Sequence, residues 1–261
     1  MRIILQKNVT QTILWILAII LIWQFSVNLL DNNAYLFPPF SKVMTRLIED
    51  ISSAHLLLKA FNSVFLVLEG LIISSLLAFV VALACHKFKI INNLFSFLCT
   101  VFIPLPSIAL LPLIIIWFGI DREAIIILVC FGIFWMILIQ ILNSIKQMPK
   151  TYIEWAKNIE LNTFDYFRLL VIPCIISDLI GTLRIAWGRS WRSAISAEII
   201  FGAIGNKGGL GYYLNYNRQY GRTDGVLAGI ILIIIISIII EKLVFKKMEK
   251  HTIERWGLNE K

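Results

Sequence analysis

Residues 61–84, FNSVFLVLEGLIISSLLAFVVALA, form an apolar run whose single charged side chain is Glu69. A helix of about 20 residues is long enough to cross the ~30 Å hydrocarbon core of a bilayer. The run therefore predicts a helix that spans a membrane, with lipid as the solvent for part of the chain.

Five more apolar runs lie on either side of it, covering approximately residues 12–30, 94–120, 124–145, 173–200 and 226–245. The composition agrees, since 59% of the 261 residues are hydrophobic and 15% are charged. An ordinary soluble domain is nearer half apolar and a quarter charged. The sequence therefore predicts an all-α polytopic membrane protein with about six transmembrane helices. The first run is too long for the core of a signal peptide, so we expect it to be retained.

The third apolar run contains three prolines, Pro104, Pro106 and Pro112. Proline removes a backbone donor and interrupts the helical hydrogen-bond ladder. We expect a kinked or broken helix whose freed carbonyl groups face protein or a cavity. Simple kinking and lining of a translocation pathway both remain open for these prolines.

Between the first two runs, residues 41–58 have apolar side chains on one face at helical spacing, namely Val43, Met44, Leu47, Ile48, Ile51 and Ala54. This pattern is typical of a helix that lies on the membrane rather than crossing it. We divide the chain into an N-terminal part, residues 1–58, with one transmembrane helix and this external segment, and a core transmembrane part, residues 59–261, that contains the polar segment 146–168.

Lysine and arginine positions indicate the orientation. With the N-terminus in the cytoplasm, 14 of the 24 basic residues fall inside, and three of the other ten lie within the fifth run. This asymmetry supports cytoplasmic N- and C-termini. The net charge of +8 is explained by basic loops and anionic lipid, so no nucleic-acid partner is expected. The scattered cysteines and histidines predict no metal site.

The polar segment 146–168 carries the most functional information. Thr151 and Glu154 have the spacing of a capping box, which predicts a short helix. Asn162 or Thr163 is suited to cap a second one. Two short helices that protrude into the cytoplasm would form a compact docking device, whereas the alternative is an ordinary amphipathic connector.

This segment resembles the EAA loop of ABC importer permeases, which reads Glu-Ala-Ala, then Gly, then Ile/Leu-Pro. The matching residues are Glu154, Trp155, Ala156, Glu160, Ile172 and Pro173. In that family the loop forms the coupling helix that sits in a groove of the cytoplasmic ATPase subunit. Trp155 and Glu160 depart from the pattern. A residue other than glycine in a left-handed turn costs on the order of 1 kcal/mol unless the turn is remodelled, for which Asn162 is a candidate.

Six other segments, in order along the chain, are similar to the nitrate/sulfonate/taurine type of permease: residues 36–43, 103–120, 183–192, 197–198, 208–212 and 222–224. The resemblance implies the type I importer permease fold and a subunit without a catalytic site or cofactor of its own. It implies a second permease copy, most simply as a homodimer, and ATPase subunits that use ATP and magnesium. It also implies a periplasmic or lipid-anchored solute-binding protein, a bacterial inner membrane, and a small anionic cargo such as nitrate, a sulfonate or taurine.

Six charged residues fall in or at the edges of the apolar runs: Glu69, Asp178, Arg184, Arg189, Arg192 and Glu198. Each costs ~2.5–3.5 kcal/mol at the bilayer centre on insertion scales, so we expect them to face protein or water and to pair. They either line the pathway of a charged solute or form ion pairs that hold the fifth span to its neighbours. We favour the second interpretation for Arg184 and Glu198, and leave both open for Glu69 and Asp178.

Two further interpretations follow from the sequence. The run Gly208–Gly211 lacks the Gly-x-x-x-x-Gly-Lys-Ser/Thr pattern of a phosphate loop, so we expect a flexible outward loop. The alternative function is an ATP-independent secondary transporter or channel that would use the intramembrane charges, and a scaffold without a pathway is a third class.

Overall fold

The computed structural model describes residues 2–29, 36–53, 55–202 and 208–249, and every regular element within these ranges is helical. The α-helices are α1 Arg2–Leu29, α2 Phe40–Ser52, α3 His55–Lys87, α4 Lys89–Phe102, α5 Leu111–Phe118, α6 Arg122–Lys146, α7 Lys150–Asn158, α8 Thr163–Tyr166, α9 Ile172–Phe201, α10 Leu210–Gln219 and α11 Thr223–Ile240. The predicted all-α class is confirmed.

Among the described residues, three helices are long and apolar enough to cross a membrane: α3, α6, and α11 with its continuation to Glu249. A bent pair, α4 with residues Ser107–Phe118, makes a fourth if it counts as one span. The first and fifth predicted spans are the helices α1 and α9, which are not among these four. The apolar part of α1 is the shorter segment Leu14–Val27, and α9 carries five charged side chains.

The third predicted span is broken at its prolines, as the sequence indicated. Helix α4 ends at Phe102, a 3₁₀ turn occupies Ser107–Leu110, and the chain is bent by 93° between the two halves. Pro104 and Pro106 lie in the break, and Pro112 lies in the first turn of α5. Proline is tolerated in a first turn because that turn's N–H groups have no helical acceptor. The break in the helix is therefore explained by Pro104 and Pro106, the two prolines that lie in the connection.

Helix α6 is the centre of the packing. It contacts α3 and α9 more extensively than the other described helices contact one another. Its buried side chains include Ile125, Leu128, Val129, Ile133, Ile137 and Leu138. Gly70 on α3 allows the closest approach, because a methyl group there would overlap the side chain of Val129.

The external amphipathic helix is shorter than predicted. Helix α2 ends at Ser52 and α3 begins at His55. The apolar pattern of residues 41–58 therefore runs across the boundary between these two helices. Val43 and Leu47 are buried, whereas Ile48 is 60% exposed and does not belong to the packed face. Ala54, which we placed on that face, lies outside the described residues.

The glycine run is not a flexible outward loop, which corrects that expectation. Gly208–Gly211 is buried, and α10 begins at Leu210. The N–H of Gly211 donates to Oε2 of Glu198, and the N–H of Leu210 donates to Oγ of Ser63, both at 2.8 Å. Ser63 in turn lies 2.8 Å from the Glu198 carboxylate. We call Ser63, Glu198 and the two amides the α10 clamp.

The α10 clamp requires glycine because backbones approach closely there. A methyl group at Gly209 would overlap Ser63 and the carboxylate of Glu198. One at Gly211 would overlap Cβ of Glu198 and lie 2.5 Å from the carbonyl oxygen of Ile195. The absence of side chains thus lets α10 pack against α9 and α3.

The polar segment folds as two short helices, but not with the predicted first cap. Helix α7 begins at Lys150, so Thr151 lies inside it and the capping-box assignment is wrong. The cap of α8 is confirmed. Oδ1 of Asn162 accepts a hydrogen bond from the N–H of Asp165 at 2.8 Å, and Nδ2 of Asn162 donates to the Asp165 carboxylate at 2.7 Å.

Helix α7 is followed by a left-handed turn at Glu160, whose φ is +49°. Among the described residues, Glu160 is the one non-glycine residue with a positive φ. The N–H of Leu161 donates to the carbonyl oxygen of Ala156 at 3.1 Å. This bond, which spans six residues, is the mark of a Schellman motif. The turn that glycine usually makes is therefore retained with glutamate in its place.

Replacing Glu160 with glycine should stabilise the protein by about 1 kcal/mol, because glycine lacks the Cβ that is strained in the left-handed region. Thermal unfolding in detergent would measure the change. Glu154→Gly is the matched control, since it removes the same side chain from the interior of α7 and should destabilise by about 1 kcal/mol. A Glu160→Gly protein no more stable than the parent would show that the turn is not strained.

Gly211→Ala should destabilise the protein by about 1–3 kcal/mol, because the added methyl group forces α10 away from Glu198 and breaks the α10 clamp. Gly181→Ala on α9 is the control, since nothing lies within 4 Å of its Cβ position. That change should be neutral or slightly stabilising. Equal unfolding temperatures for the two variants would contradict the close packing described for Gly211.

Candidate functional site

The residues that match the EAA loop lie on α7, its terminal turn and the start of α9. Trp155 is 56% exposed and Glu154 is also exposed, whereas Ala156 is 4% exposed. The small residue therefore lies at the packed position, and tryptophan occupies a surface position where its bulk is accommodated. Pro173 is the second residue of α9, directly after the π-helical turn Phe167–Val171.

A cavity of about 920 Å³ lies between α7, the end of α6 and the start of α9. Its lining brings Trp155 and Pro173 of the loop together with Asp178. Oδ2 of Asp178 accepts a hydrogen bond from Oγ of Ser144 at 2.9 Å, and Ser144 accepts one from Gln140 at 3.2 Å. A hydrogen bond therefore connects Asp178 to α6, and Asp178 lies beside the segment 146–168.

Besides Asp178, three of the predicted intramembrane charges have partners within the chain. Glu69 lies 2.6 Å from Arg122 at the start of α6, an ion pair that joins α3 to α6. Arg184 on α9 pairs with Glu241, and its other nitrogen lies 3.7 Å from Glu249. These contacts favour ion pairing of helices over contact with a solute.

Glu198 is the third and belongs to the α10 clamp. It is 4% exposed and is held by Ser63 and the backbone of Gly211. A buried carboxylate that accepts backbone hydrogen bonds at a helix N-terminus acts as a helix cap. The geometry therefore favours the structural interpretation for Glu198 as well.

The two remaining arginines line a second cavity, which we call the arginine cavity. It has a volume of about 520 Å³ and lies between the break in the third span and α9. Of the predicted pathway residues, the structure brings Pro104, Pro106, Arg189 and Arg192 together here, and Pro112 is not in its lining. Among the described residues that line it, the two arginines are the charged ones.

Four serines also line the arginine cavity, and the sequence analysis missed them: Ser107, Ser190, Ser193 and Ser196. The signal was present, because the three on α9 recur every third residue beside the two arginines. Ser107 and Ser193 share a hydrogen bond that joins the broken segment to α9. Ser107 in turn lies over Gly132 of α6, where an added methyl group would come within 2.9 Å of its Oγ.

The polar groups of this cavity differ in whether they have a hydrogen-bond partner. Nε of Arg192 donates to the carbonyl oxygen of Gly188 at 3.1 Å, which fixes the base of that guanidinium. Ser190 is 1% exposed, and its hydroxyl has no hydrogen-bond partner among the described residues. A buried hydroxyl without a partner is energetically costly.

A separate polar cluster links α2 to α10. Tyr213 of α10 donates to the carboxylate of Asp50 on α2, and Arg46 lies 2.9 Å from the same carboxylate. Burial and the neighbouring Asp50 raise the pKa of the Tyr213 hydroxyl above its usual value. The hydroxyl therefore stays protonated and keeps donating across the physiological range.

Within the described residues, no group of three or more His, Cys, Asp or Glu side chains is placed to hold a metal ion. The arrangement is instead that of a helical membrane domain with two cavities along α9. One lies beside the segment 146–168 and the other beside the broken span.

The chain is similar to several permeases. It is 26% identical over 201 residues to the putative ABC transporter permease protein MJ0413 of Methanocaldococcus jannaschii, covering 76% of this chain and 74% of that protein. It is 24% identical over 201 residues to the taurine transport system permease protein TauC of Escherichia coli, covering 75% and 73%. With the putative aliphatic sulfonates transport permease protein SsuC of Escherichia coli, it shares 33% identity over 107 residues, covering 41% and 39%.

The fold is also that of a solved transporter. A chain of the methionine ABC transporter MetNI in an inward-facing conformation superimposes with a TM-score of 0.60 and 16% identity, covering 76% of this chain and 95% of that one. The family model of the binding-protein-dependent transport system inner membrane component matches residues 70–245. With two thirds of its length in that match, the chain belongs to the family of binding-protein-dependent transport system inner membrane components.

Proposed function

We propose that this transport component works in a bacterial inner membrane as a pair of identical copies that carry a small anion inward. Energy comes from separate ATPase subunits that bind ATP and magnesium, while this chain has no catalytic site of its own. A solute-binding protein delivers the cargo outside. The N- and C-termini are cytoplasmic, in agreement with the distribution of basic residues.

The hairpin of α7 and α8 is the observation that carries the proposal. Helix α7 has nine residues, and α8 continues through the π-helical turn Phe167–Val171 into α9. The turn at Glu160 and the cap at Asn162 join the two helices. Trp155 is exposed, yet tryptophan is one of the residues that contribute most when an interface buries them. A rigid hairpin that presents an aromatic side chain beside a cavity suits the docking of an ATPase subunit.

The anionic cargo is supported by the arginine cavity and by the relatives. Similar proteins are named for the transport of aliphatic sulfonates, taurine, nitrate and bicarbonate. Each of these carries a negatively charged oxygen-bearing group. The arginine cavity provides guanidinium and hydroxyl donors for such a group.

An ATP-independent transporter is the alternative function. It would depend on the intramembrane carboxylates to carry ions, yet Glu69 is engaged by Arg122 and Asp178 by Ser144. The exposed hairpin has no role in such a protein. The geometry therefore favours the ATP-driven importer.

The coupling role predicts that Glu154→Lys combined with Trp155→Ala reduces the amount of ATPase subunit that co-purifies with the tagged chain by roughly tenfold or more, because an interface tryptophan contributes about 2 kcal/mol or more. Both side chains are exposed, so the fold should persist. The measurement is Mg²⁺-dependent ATP hydrolysis in the eluate from detergent-solubilised membranes.

Glu49→Lys with Trp117→Ala is the matched control, since it makes the same chemical changes at exposed positions on α2 and α5. It should leave ATP hydrolysis in the eluate at the parent level. No ATP hydrolysis with the parent chain, or equal hydrolysis with the hairpin variant, would overturn the proposed function.

A further inference from the structure

We infer that the arginine cavity is a binding site for a small oxyanion within the membrane domain, so that this chain takes part in selecting the cargo. The inference rests on the proposed function, because it identifies where the transported anion stops on its way. It differs from delivery by a solute-binding protein, which would need no binding site in the membrane domain.

Charge is the first argument. Arg189 and Arg192 are three residues apart on α9, so both lie along one side of that helix, and both line the cavity. The described residues of the lining include no carboxylate that would neutralise them. Two neighbouring guanidinium groups offer charge-assisted hydrogen bonds to an anion, and Arg192 is already oriented by its bond to Gly188.

The hydroxyl of Ser190 is the second and independent argument. Ser190 lies between the two arginines in sequence, is buried, and belongs to the lining of the cavity. Its hydroxyl has no hydrogen-bond partner among the described residues. Burying a donor without an acceptor costs free energy that the folded state regains only when an acceptor arrives. The oxygen of a sulfonate, nitrate or bicarbonate group is such an acceptor.

Size and shape agree with this occupant. A volume of about 520 Å³ lies within the range of ~300–1,000 Å³ that is typical of small-molecule sites. The hydrogen bond between Ser107 and Ser193 and the close approach of Ser107 to Gly132 fix the walls. Hydroxyl groups and arginine side chains can bind an anion without enclosing it completely, which suits a site that must also release the anion.

The test is calorimetric titration of the full-length chain in lipid nanodiscs with methanesulfonate and, separately, with nitrate. Without the solute-binding protein present, any binding comes from this chain. We expect saturable binding of one of these anions, weakened roughly tenfold by Ser190→Ala and at least as much by Arg189→Gln or Arg192→Gln. Choline, a cation of small size, should not bind.

Ser75→Ala and Arg222→Gln are the matched controls. Ser75 bonds only the carbonyl oxygen of Leu71 in its own helix, and Arg222 lies at the start of α11 outside the cavity lining. Both should bind the anion like the parent chain. Absence of anion binding by the parent, or equal binding by the parent and by Ser190→Ala and both arginine variants, would overturn the inference. Either result would leave the co-purification of the ATPase unaffected, so the proposed function is judged separately.

Discussion

A backbone N–H or C=O group in hydrocarbon has no water to bond, and this constraint governs the structure more than any single contact. Helices satisfy it throughout their length, but the third span is interrupted by Pro104 and Pro106. The exposed backbone at that break must therefore face protein or a polar cavity. The hydrogen bond between Ser107 and Ser193 places the break against α9, which is the most polar of the long helices. The arginine cavity is thus the physical consequence of breaking one helix beside another that carries charge.

The same constraint explains how the other charged side chains are distributed. Glu69 pairs with Arg122 where α3 lies beside the first turn of α6, and Glu198 accepts a hydrogen bond from the Gly211 amide where α10 begins. In both places a charge stabilises the end of a helix or the contact of two helices. Arg189 and Arg192 are the exceptions, because no carboxylate faces them in the described part of the chain. Charges without a partner in a membrane domain are expensive, and they persist where function requires them.

The helices, the break in the third span and the cap at Asn162 could all be predicted, because each depends on local sequence: apolar length, proline, or an asparagine before a short helix. The capping box at Thr151 was wrong, since α7 begins at Lys150 and a spacing rule cannot place a helix start to one residue. The extent of α2 was overestimated for a related reason. Two helices that meet at a turn can continue one apolar pattern, and periodicity alone does not show the boundary.

What could not be predicted depends on residues distant in sequence. Gly208–Gly211 was interpreted as a flexible loop because glycine permits turns. In the structure, its missing side chains instead allow the backbone of this run to pack closely against Glu198 and Ser63, which are distant in sequence. The partner of Glu69 and the partners of Asp178 were likewise set by tertiary packing. The serines of the arginine cavity were overlooked because serine in an apolar helix usually bonds its own backbone, as Ser75 does.

Glu160 shows why a departure from a family pattern need not change the geometry. The Schellman hydrogen bond from Leu161 to Ala156 and the packing of Leu161 against the core hold the turn closed. These contacts offset a strain of about 1 kcal/mol, which is the difference between glutamate and glycine in the left-handed region. The glutamate side chain is exposed and adds a negative charge to the surface of the hairpin. The segment 146–168 also carries Lys146, Lys150, Lys157 and Arg168. A partner that docks there therefore meets charges of both signs together with the exposed Trp155, which favours a complementary surface that is mixed in charge and partly apolar.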